Sequence, residues 1–147
     1  MLALKDPTLL RQACYIDGAW VAADSGETIT VTDPATGAAI ATVPYCGAAE
    51  TERAVLAADK ALKTWRETTA SERSRILRRW FDLMLAHQDD LAQLMTAEQG
   101  KPLAEARGEI AYAAAYVEWF AEEAKRAYGE VIPSPFKDRQ LVVVKEP

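Results

Sequence analysis

The segment of residues 98–133 constrains the fold more than any other part of the chain. Gly100 can take the left-handed conformation that ends a helix, and Pro102 suits the first position of the next helix, where no amide hydrogen is needed. From Leu103 the spacing of apolar residues predicts one helix of about 26 residues and about 39 Å, which Gly129 ends. We expect the rest of the chain to pack around this helix.

The predicted long helix has two apolar faces. At helical spacing, one face carries Ile110, Ala113, Ala114, Val117, Ala121, Ala124 and Tyr128. An aromatic stripe on nearly the opposite side consists of Tyr112, Tyr116 and Trp119. The solvated strip holds Arg107, Glu118, Glu122, Lys125 and Arg126. In that strip Glu122 and Arg126 are spaced as an i, i+4 ion pair. Two interpretations stay open: a central core helix, or a helix whose aromatic side lines a ligand tunnel or an interface.

The composition is that of an ordinary soluble domain. The 147 residues are 50% hydrophobic and 27% charged, which is enough to bury a core. A net charge of −5 with interspersed signs argues against nucleic acid and against a membrane as partners. The sequence shows neither a leader nor a membrane-spanning segment. Cys14 and Cys46 make no disulfide framework, and a single histidine gives no zinc spacing, so we expect a cytoplasmic protein.

The first third of the chain predicts two strand pairs, within residues 14–43. An Asp17-Gly18 turn is flanked by alternating apolar residues, which is typical of a β-hairpin. A second pair is expected from strands at 28–32 and 39–43, joined across the turn at 33–37.

Four helices are predicted within residues 48–128. Thr69 followed by Glu72 is a capping-box pattern that opens the second helix. Its expected inward residues are Ile76, Trp80, Leu83 and Met84. The third helix carries the carboxylates of Asp89 and Asp90 in its first turn, where they complement the helix dipole. The predicted fold class is therefore α+β.

Residues 141–144 predict a strand near the end of the chain. The segment is apolar and mostly β-branched, and Pro147 follows shortly after it. Either this strand pairs with the early strands, or its partner lies outside the chain. We favour the second interpretation because the early strands already form two pairs, which would leave an exposed apolar edge.

The residues alone do not assemble a catalytic site. The seven glycines stand singly, so neither a GxGxxG nor a GxxxxGK phosphate loop exists. Cys46 precedes a predicted helix, whose N-terminus lowers a thiol pKa, but with no histidine nearby we interpret it as structural. We interpret His87 as a helix-end cap rather than a base. Glu98 opposes the dipole of the helix that Gly100 ends, and it needs a partner, either Lys101 or a bound cation.

Several motifs nevertheless resemble one known family. They are DPATG at 33–37, QDDLA at 88–92, EQGKPLAEA at 98–106, EI at 109–110 and WFAEE at 119–123. Together they resemble the aldehyde dehydrogenase superfamily, and within it the bacterial NAD(P)-dependent succinate-semialdehyde dehydrogenases. Glutarate-semialdehyde dehydrogenases are similar over the same residues.

The resemblance implies that this chain is an N-terminal fragment of an α/β aldehyde dehydrogenase fold. It assigns residues 1–137 to the cofactor-binding domain and residues 138–147 to the first strand of an oligomerisation hairpin, with the catalytic domain absent. Pro147 then falls just before the family's Pro-Trp-Asn motif. The implied activity is oxidation of succinate semialdehyde, or a similar semialdehyde, to the acid through a cysteine thiohemiacetal and hydride transfer to NAD or NADP. The family context is a cytoplasmic homo-oligomer, dimer or tetramer, with a role in 4-aminobutyrate degradation.

The resemblance carries over to only a few residues of this chain. It implies that Gly108 and Tyr112 help wall the substrate tunnel, and that Glu98, with backbone near Thr32, helps hold a monovalent cation. It implies no catalytic and no cofactor-binding residue here, and the chain alone is expected to be inactive. The alternative is a stand-alone, non-enzymatic interaction module, or an inactive remnant, that binds a partner by strand addition at 141–144.

Overall fold

The computed structural model describes residues 2–146 and has an α+β architecture. Its strands are β1 (Cys14–Ile16), β2 (Ala19–Val21), β3 (Thr28–Thr32), β4 (Ala39–Pro44), β5 (Glu130–Ile132) and β6 (Leu141–Val143). Its helices are α1 (Ala48–Trp65), α2 (Ala70–Ala86), α3 (Gln88–Gln99) and α4 (Leu103–Glu123). The strands form three separate antiparallel pairs, β1–β2, β3–β4 and β5–β6.

The two N-terminal hairpins confirm the turn signals. The β1–β2 turn places Asp17 and Gly18 at positive φ, 49° and 80°, which is the conformation that an Asp-Gly turn favours. The β3–β4 ladder runs from Thr28 opposite Pro44 to Thr32 opposite Ala39. Its register shifts between Val31 and Thr32, so a bulge interrupts the pairing there.

The helix boundaries follow the predicted caps. Thr69 and Glu72 form the predicted capping box, because the Thr69 N–H donates to the Glu72 carboxylate at 2.7 Å and the Glu72 N–H donates to the Thr69 hydroxyl at 3.2 Å. Gly100 ends α3 in the left-handed conformation with φ 83°. Pro102 is the N-cap of α4, which therefore begins one residue later than expected.

The long helix is shorter than predicted. α4 has 21 residues, and a 3₁₀ turn, Ala124–Arg126, follows it. A 3₁₀ turn brings residues three apart onto the same side. Accordingly Arg126 pairs with Glu123 at 2.7 Å and Lys125 with Glu122 at 3.5 Å. The predicted ion pair between Glu122 and Arg126 was wrong for this reason.

One face of α4 forms the core against α2 and α3. The buried residues on this face are Ala106, Ile110, Ala114 and Ala121. Ala92 of α3 is also fully buried, and Leu91, Met95 and Leu103 pack around it. Mostly small side chains let the helix axes approach closely. Ala113 and Tyr128, which were expected on this face, are exposed.

The inward face of α2 was predicted wrongly at three of its four residues. Ile76, Trp80 and Leu83 are exposed. Met84 does lie on the more buried side of the helix, together with Ser74, Leu77 and Phe81. α2 thus has two apolar stripes, and only one is covered within residues 2–146.

The N-terminal segment is tied to the start of α3. Asp90 is 2% exposed, and its carboxylate accepts hydrogen bonds from the backbone N–H groups of Lys5 at 2.9 Å and Asp6 at 2.8 Å. Asp89 beside it pairs with Arg107 of α4 at 2.8 Å. The predicted first-turn carboxylates therefore also hold the N-terminal segment and α4 in place.

The C-terminal strand has a partner, contrary to expectation. β6 pairs with β5, with Val142 opposite Val131. β5 was not predicted, because Gly129, which precedes it, was interpreted only as the end of the long helix. A β-carbon at Gly129 would collide with the carbonyl oxygen of Val143, so the close approach requires glycine. All residues of both strands are exposed. Pro147 lies outside the described residues.

No helix within residues 2–146 is both long and apolar enough to span a bilayer.

Candidate functional site

The aromatic face of α4 is the most distinctive exposed surface of the chain. Tyr112, Tyr116 and Trp119 are 64%, 52% and 65% exposed. The Tyr112 and Tyr116 rings meet edge to face with centroids 5.0 Å apart. Gly108 lies one turn before Tyr112, and a β-carbon at Gly108 would meet no atom within 4 Å. Along this face, the missing side chain of Gly108 is therefore followed by the two adjacent phenol rings and the Trp119 indole. Of the two interpretations of α4, the core helix holds for one face, while the aromatic face is uncovered among the described residues.

The two phenols are hydrogen bonded to one another. Their hydroxyl oxygens are 2.7 Å apart. This hydrogen bond, together with partial burial, raises the pKa of Tyr112 above its ordinary value of 10.0. Since one hydroxyl of the pair donates to the other, the pair keeps one O–H group that could donate to an oxygen of a ligand against this face.

Glu98 and Thr32, the predicted cation ligands, are both exposed, at the end of α3 and of β3. Lys101 pairs with Glu109 of α4, so it is not the partner of Glu98 and that interpretation was wrong. Among residues 2–146, no three His, Cys, Asp or Glu side chains converge as a metal site. A cation here would thus depend on backbone oxygens as well as on Glu98, and the bulge between Val31 and Thr32 fits that requirement by interrupting the strand pairing.

A cavity of about 590 Å³ lies between the β3–β4 turn, the end of α3 and the start of α4. Asp33, Thr96 and Gly100 are among its lining residues. The Thr96 hydroxyl is buried and makes no hydrogen bond within the part of the chain that the structure describes. The cavity adjoins the end of α3 that carries Glu98.

Cys46 is not activated by the helix that follows it. Burial raises the pKa of its thiol, and a hydrogen bond to Cys14 raises it further. The helix N-terminus is already occupied, because the Glu50 carboxylate accepts the N–H of Gly47 at 2.9 Å and that of Asp24 at 2.7 Å. A buried anion there offsets the favourable effect of the helix end on a thiolate. The expectation of a lowered pKa was wrong for Cys46, and the structural interpretation of this residue is the better one.

His87 occupies the predicted cap position. It ends α2 and begins α3, with its N–H donating to the carbonyl of Leu83 at 3.1 Å and its own carbonyl accepting from Leu91 at 3.0 Å. Two features near the hairpins were not predicted. Glu50 is buried although it is a helix-surface glutamate by pattern, and Cys14 lies against Cys46 although 32 positions separate them. The position of Glu50, third in the helix after Gly47, was the available signal that its side chain caps the helix. The sequence offered no signal for the contact between Cys14 and Cys46.

Comparisons with known proteins place this chain clearly. The profile of the aldehyde dehydrogenase family matches residues 20–147. The chain is 64% identical to a glutarate-semialdehyde dehydrogenase of Pseudomonas putida and 56% identical to an NADP⁺-dependent succinate-semialdehyde dehydrogenase of Escherichia coli, with 99% of this chain covered in each case. The crystal structure of a succinate-semialdehyde dehydrogenase from Burkholderia pseudomallei superimposes with a TM-score of 0.96 at 60% identity, over 99% of this chain.

In each comparison the chain spans 30% of the other protein. The four helices and short strand pairs match the N-terminal part of that fold. This chain belongs to the aldehyde dehydrogenase family.

Proposed function

We propose that this chain is the N-terminal part of an NAD(P)-dependent dehydrogenase that oxidises a short semialdehyde, succinate or glutarate semialdehyde, to the corresponding dicarboxylic acid. The observation that carries the proposal is the identity of 64% and 56% to two semialdehyde dehydrogenases over nearly all of the chain. The working protein would be a cytoplasmic homo-oligomer. The free thiols of Cys14 and Cys46 are in keeping with a reducing compartment.

The reacting groups would come from sequence that follows the homologous segment. This chain offers no glycine-rich phosphate loop for the cofactor, and the raised pKa of Cys46 does not suit a nucleophile. When bound, the nicotinamide would accept the hydride from the substrate. The contribution of this chain is then the scaffold, part of the substrate tunnel and the cation ligands.

The uncovered surfaces support this role. The aromatic face of α4, the second stripe of α2 and the β5–β6 hairpin all expose large apolar side chains. Contiguous apolar surface of this kind is typical of interfaces. We propose that the remainder of the polypeptide covers α2 and α4, and that residues 138–147, together with β5, contact a neighbouring subunit.

The proposal is tested with a chimera. Residues 2–146 replace the homologous segment of the Pseudomonas putida relative, and nicotinamide reduction is followed with succinate semialdehyde and glutarate semialdehyde. Activity with either substrate supports the proposal. A folded, soluble chimera that reduces no nicotinamide with either would refute it and favour the interaction module or remnant.

The tunnel assignment predicts a specific effect of Tyr112. Tyr112→Ala in the chimera should raise the KM for the semialdehyde about five- to thirtyfold, the equivalent of one to two kcal/mol of lost contact. Tyr15→Ala is the matched control, because Tyr15 is equally exposed, at 63%, but lies on β1. Unchanged kinetics of Tyr112→Ala, or equal effects of both variants, would contradict the assignment.

A further inference from the structure

The thiols of Cys14 and Cys46 are in direct contact. Cys14 opens β1 and Cys46 follows β4, and their sulfur atoms are 3.6 Å apart, with Cys46 as the donor. Both side chains are half-buried. Since a disulfide bond is about 2.05 Å long, the two sulfur atoms must approach each other by about 1.5 Å to form one.

We propose that Cys14 and Cys46 form a reversible intramolecular disulfide, with hydrogen peroxide as the oxidant. In the first step one sulfur attacks a peroxide oxygen, the O–O bond breaks, a water leaves and that sulfur becomes a sulfenic acid. In the second step the other sulfur attacks the sulfenic sulfur, the S–O bond breaks, a second water leaves and the S–S bond forms. The two thiol hydrogens end in the two waters, and the two electrons lost by the sulfurs reduce the peroxide.

The surroundings of the pair indicate the order of the two steps. Burial, the hydrogen bond to Cys14 and the negative charges of Glu50 and Asp24 raise the pKa of Cys46, so its thiol stays protonated near neutral pH. Arg53 pairs with Asp24 at 2.7 and 2.8 Å, so the charge of Glu50 is the main negative charge beside Cys46. Because Cys46 also donates its S–H to the sulfur of Cys14, we assign the attack on peroxide to Cys14 and the closing step to Cys46.

The disulfide would add a covalent bond between the first hairpin and the start of α1. Cys46 directly precedes Gly47, which is the N-cap of α1, so the bond would link the first hairpin to the start of that helix. It would close a loop that contains β2, β3 and β4. Such a bond restricts the unfolded chain and fixes the hairpin on α1. The inference is independent of the proposed dehydrogenase activity, because neither sulfur is assigned to that reaction.

The test follows the competition between disulfide closure and trapping of the sulfenic acid. The reduced 147-residue chain is treated with hydrogen peroxide and the sulfenic-acid probe dimedone, in buffer and in urea. Digestion without reductant uses a protease that cleaves at Asp24 and Asp33, because no Lys or Arg separates the two cysteines. Mass spectrometry then measures the linked peptides and the dimedone adducts.

In buffer the ratio of disulfide to adduct should be about tenfold or more above that in urea, because the unfolded chain must close a long loop before the sulfurs meet. Dithiothreitol should restore both thiols. Equal ratios in buffer and urea, or a product dominated by dimers between chains, would overturn the proposal.

Two single variants test the assigned order. Cys46→Ser should accumulate the dimedone adduct on Cys14, and Cys14→Ser should label Cys46 more slowly. Faster labelling of Cys46 would overturn the assignment of the first step to Cys14.

Discussion

Replacing Gly100 with alanine tests the junction between α3 and α4 directly. Gly100 has φ +83°, and a β-carbon there would lie 2.9 Å from Cγ of Pro34. The left-handed conformation costs a non-glycine residue about 1–2 kcal/mol. Overlap with a proline ring, which cannot rotate away, adds about 1–3 kcal/mol. We therefore expect Gly100→Ala to lower the free energy of unfolding by about 2–5 kcal/mol.

Two matched glycine-to-alanine changes separate these contributions. Gly37 has φ +72° and open space around a β-carbon, so Gly37→Ala should lose only the conformational part, about 1–2 kcal/mol. Gly108 lies inside α4 and also has open space, so Gly108→Ala should raise the stability by up to about 1 kcal/mol.

Thermal and urea unfolding of the three variants, followed by circular dichroism, provides the measurement. For a chain of this size about 2–4 °C corresponds to 1 kcal/mol, so Gly100→Ala should lower Tm by roughly 4–20 °C. If Gly100→Ala and Gly37→Ala lower the free energy of unfolding equally, Pro34 moves aside without destabilising the fold. A neutral Gly100→Ala would refute the left-handed end of α3.

Two further predictions concern charged side chains. Hydrogen bonds from the backbone N–H groups of Asp24 and Gly47 lower the pKa of Glu50 below its ordinary value of 4.5. The ionised Glu50 therefore stabilises the fold fully above pH 4.5, and this stabilisation is lost as the pH falls through the lower pKa of the folded state. The difference in Tm between the native chain and Glu50→Gln should therefore be largest near neutral pH and shrink below about pH 4; a constant difference would contradict this origin. If Glu98 and the backbone near Thr32 hold a monovalent cation, potassium chloride should raise Tm above its value in choline chloride, and Glu98→Gln should abolish that rise. Equal shifts in the native chain and Glu98→Gln would argue against the site.

Local signals in the sequence predicted the elements that local interactions determine. The Asp17-Gly18 turn, the Thr69 capping box and the Gly100 helix end each depend on residues within a few positions of one another, and all three are confirmed. The family resemblance was equally accessible, because it depends on contiguous motifs. The role of Tyr112 in a tunnel stays a prediction.

Contacts between distant residues were not predictable in the same way. Nothing in the local pattern pairs Asp90 with the backbone of Lys5, or brings Cys14 against Cys46. The strand β5 was missed because three residues are too few to establish an alternating pattern. Periodicity also does not distinguish an α-helix from a terminal 3₁₀ turn, which is why the length of α4 was overestimated.

The errors about the burial of large apolar side chains have the same direction. Ile76, Trp80 and Tyr128 were expected to be buried, and each is exposed. Periodicity identifies apolar faces correctly but does not say whether the covering surface belongs to the same segment of chain. If the wrong faces of the helices had been packed inward, charged side chains would be buried without hydrogen-bond partners. Glu50 and Asp90 are buried, but the carboxylates of both accept backbone hydrogen bonds. The exposed apolar stripes therefore fit the proposal that further sequence covers them, a proposal that comes from relatives of which this chain spans 30%.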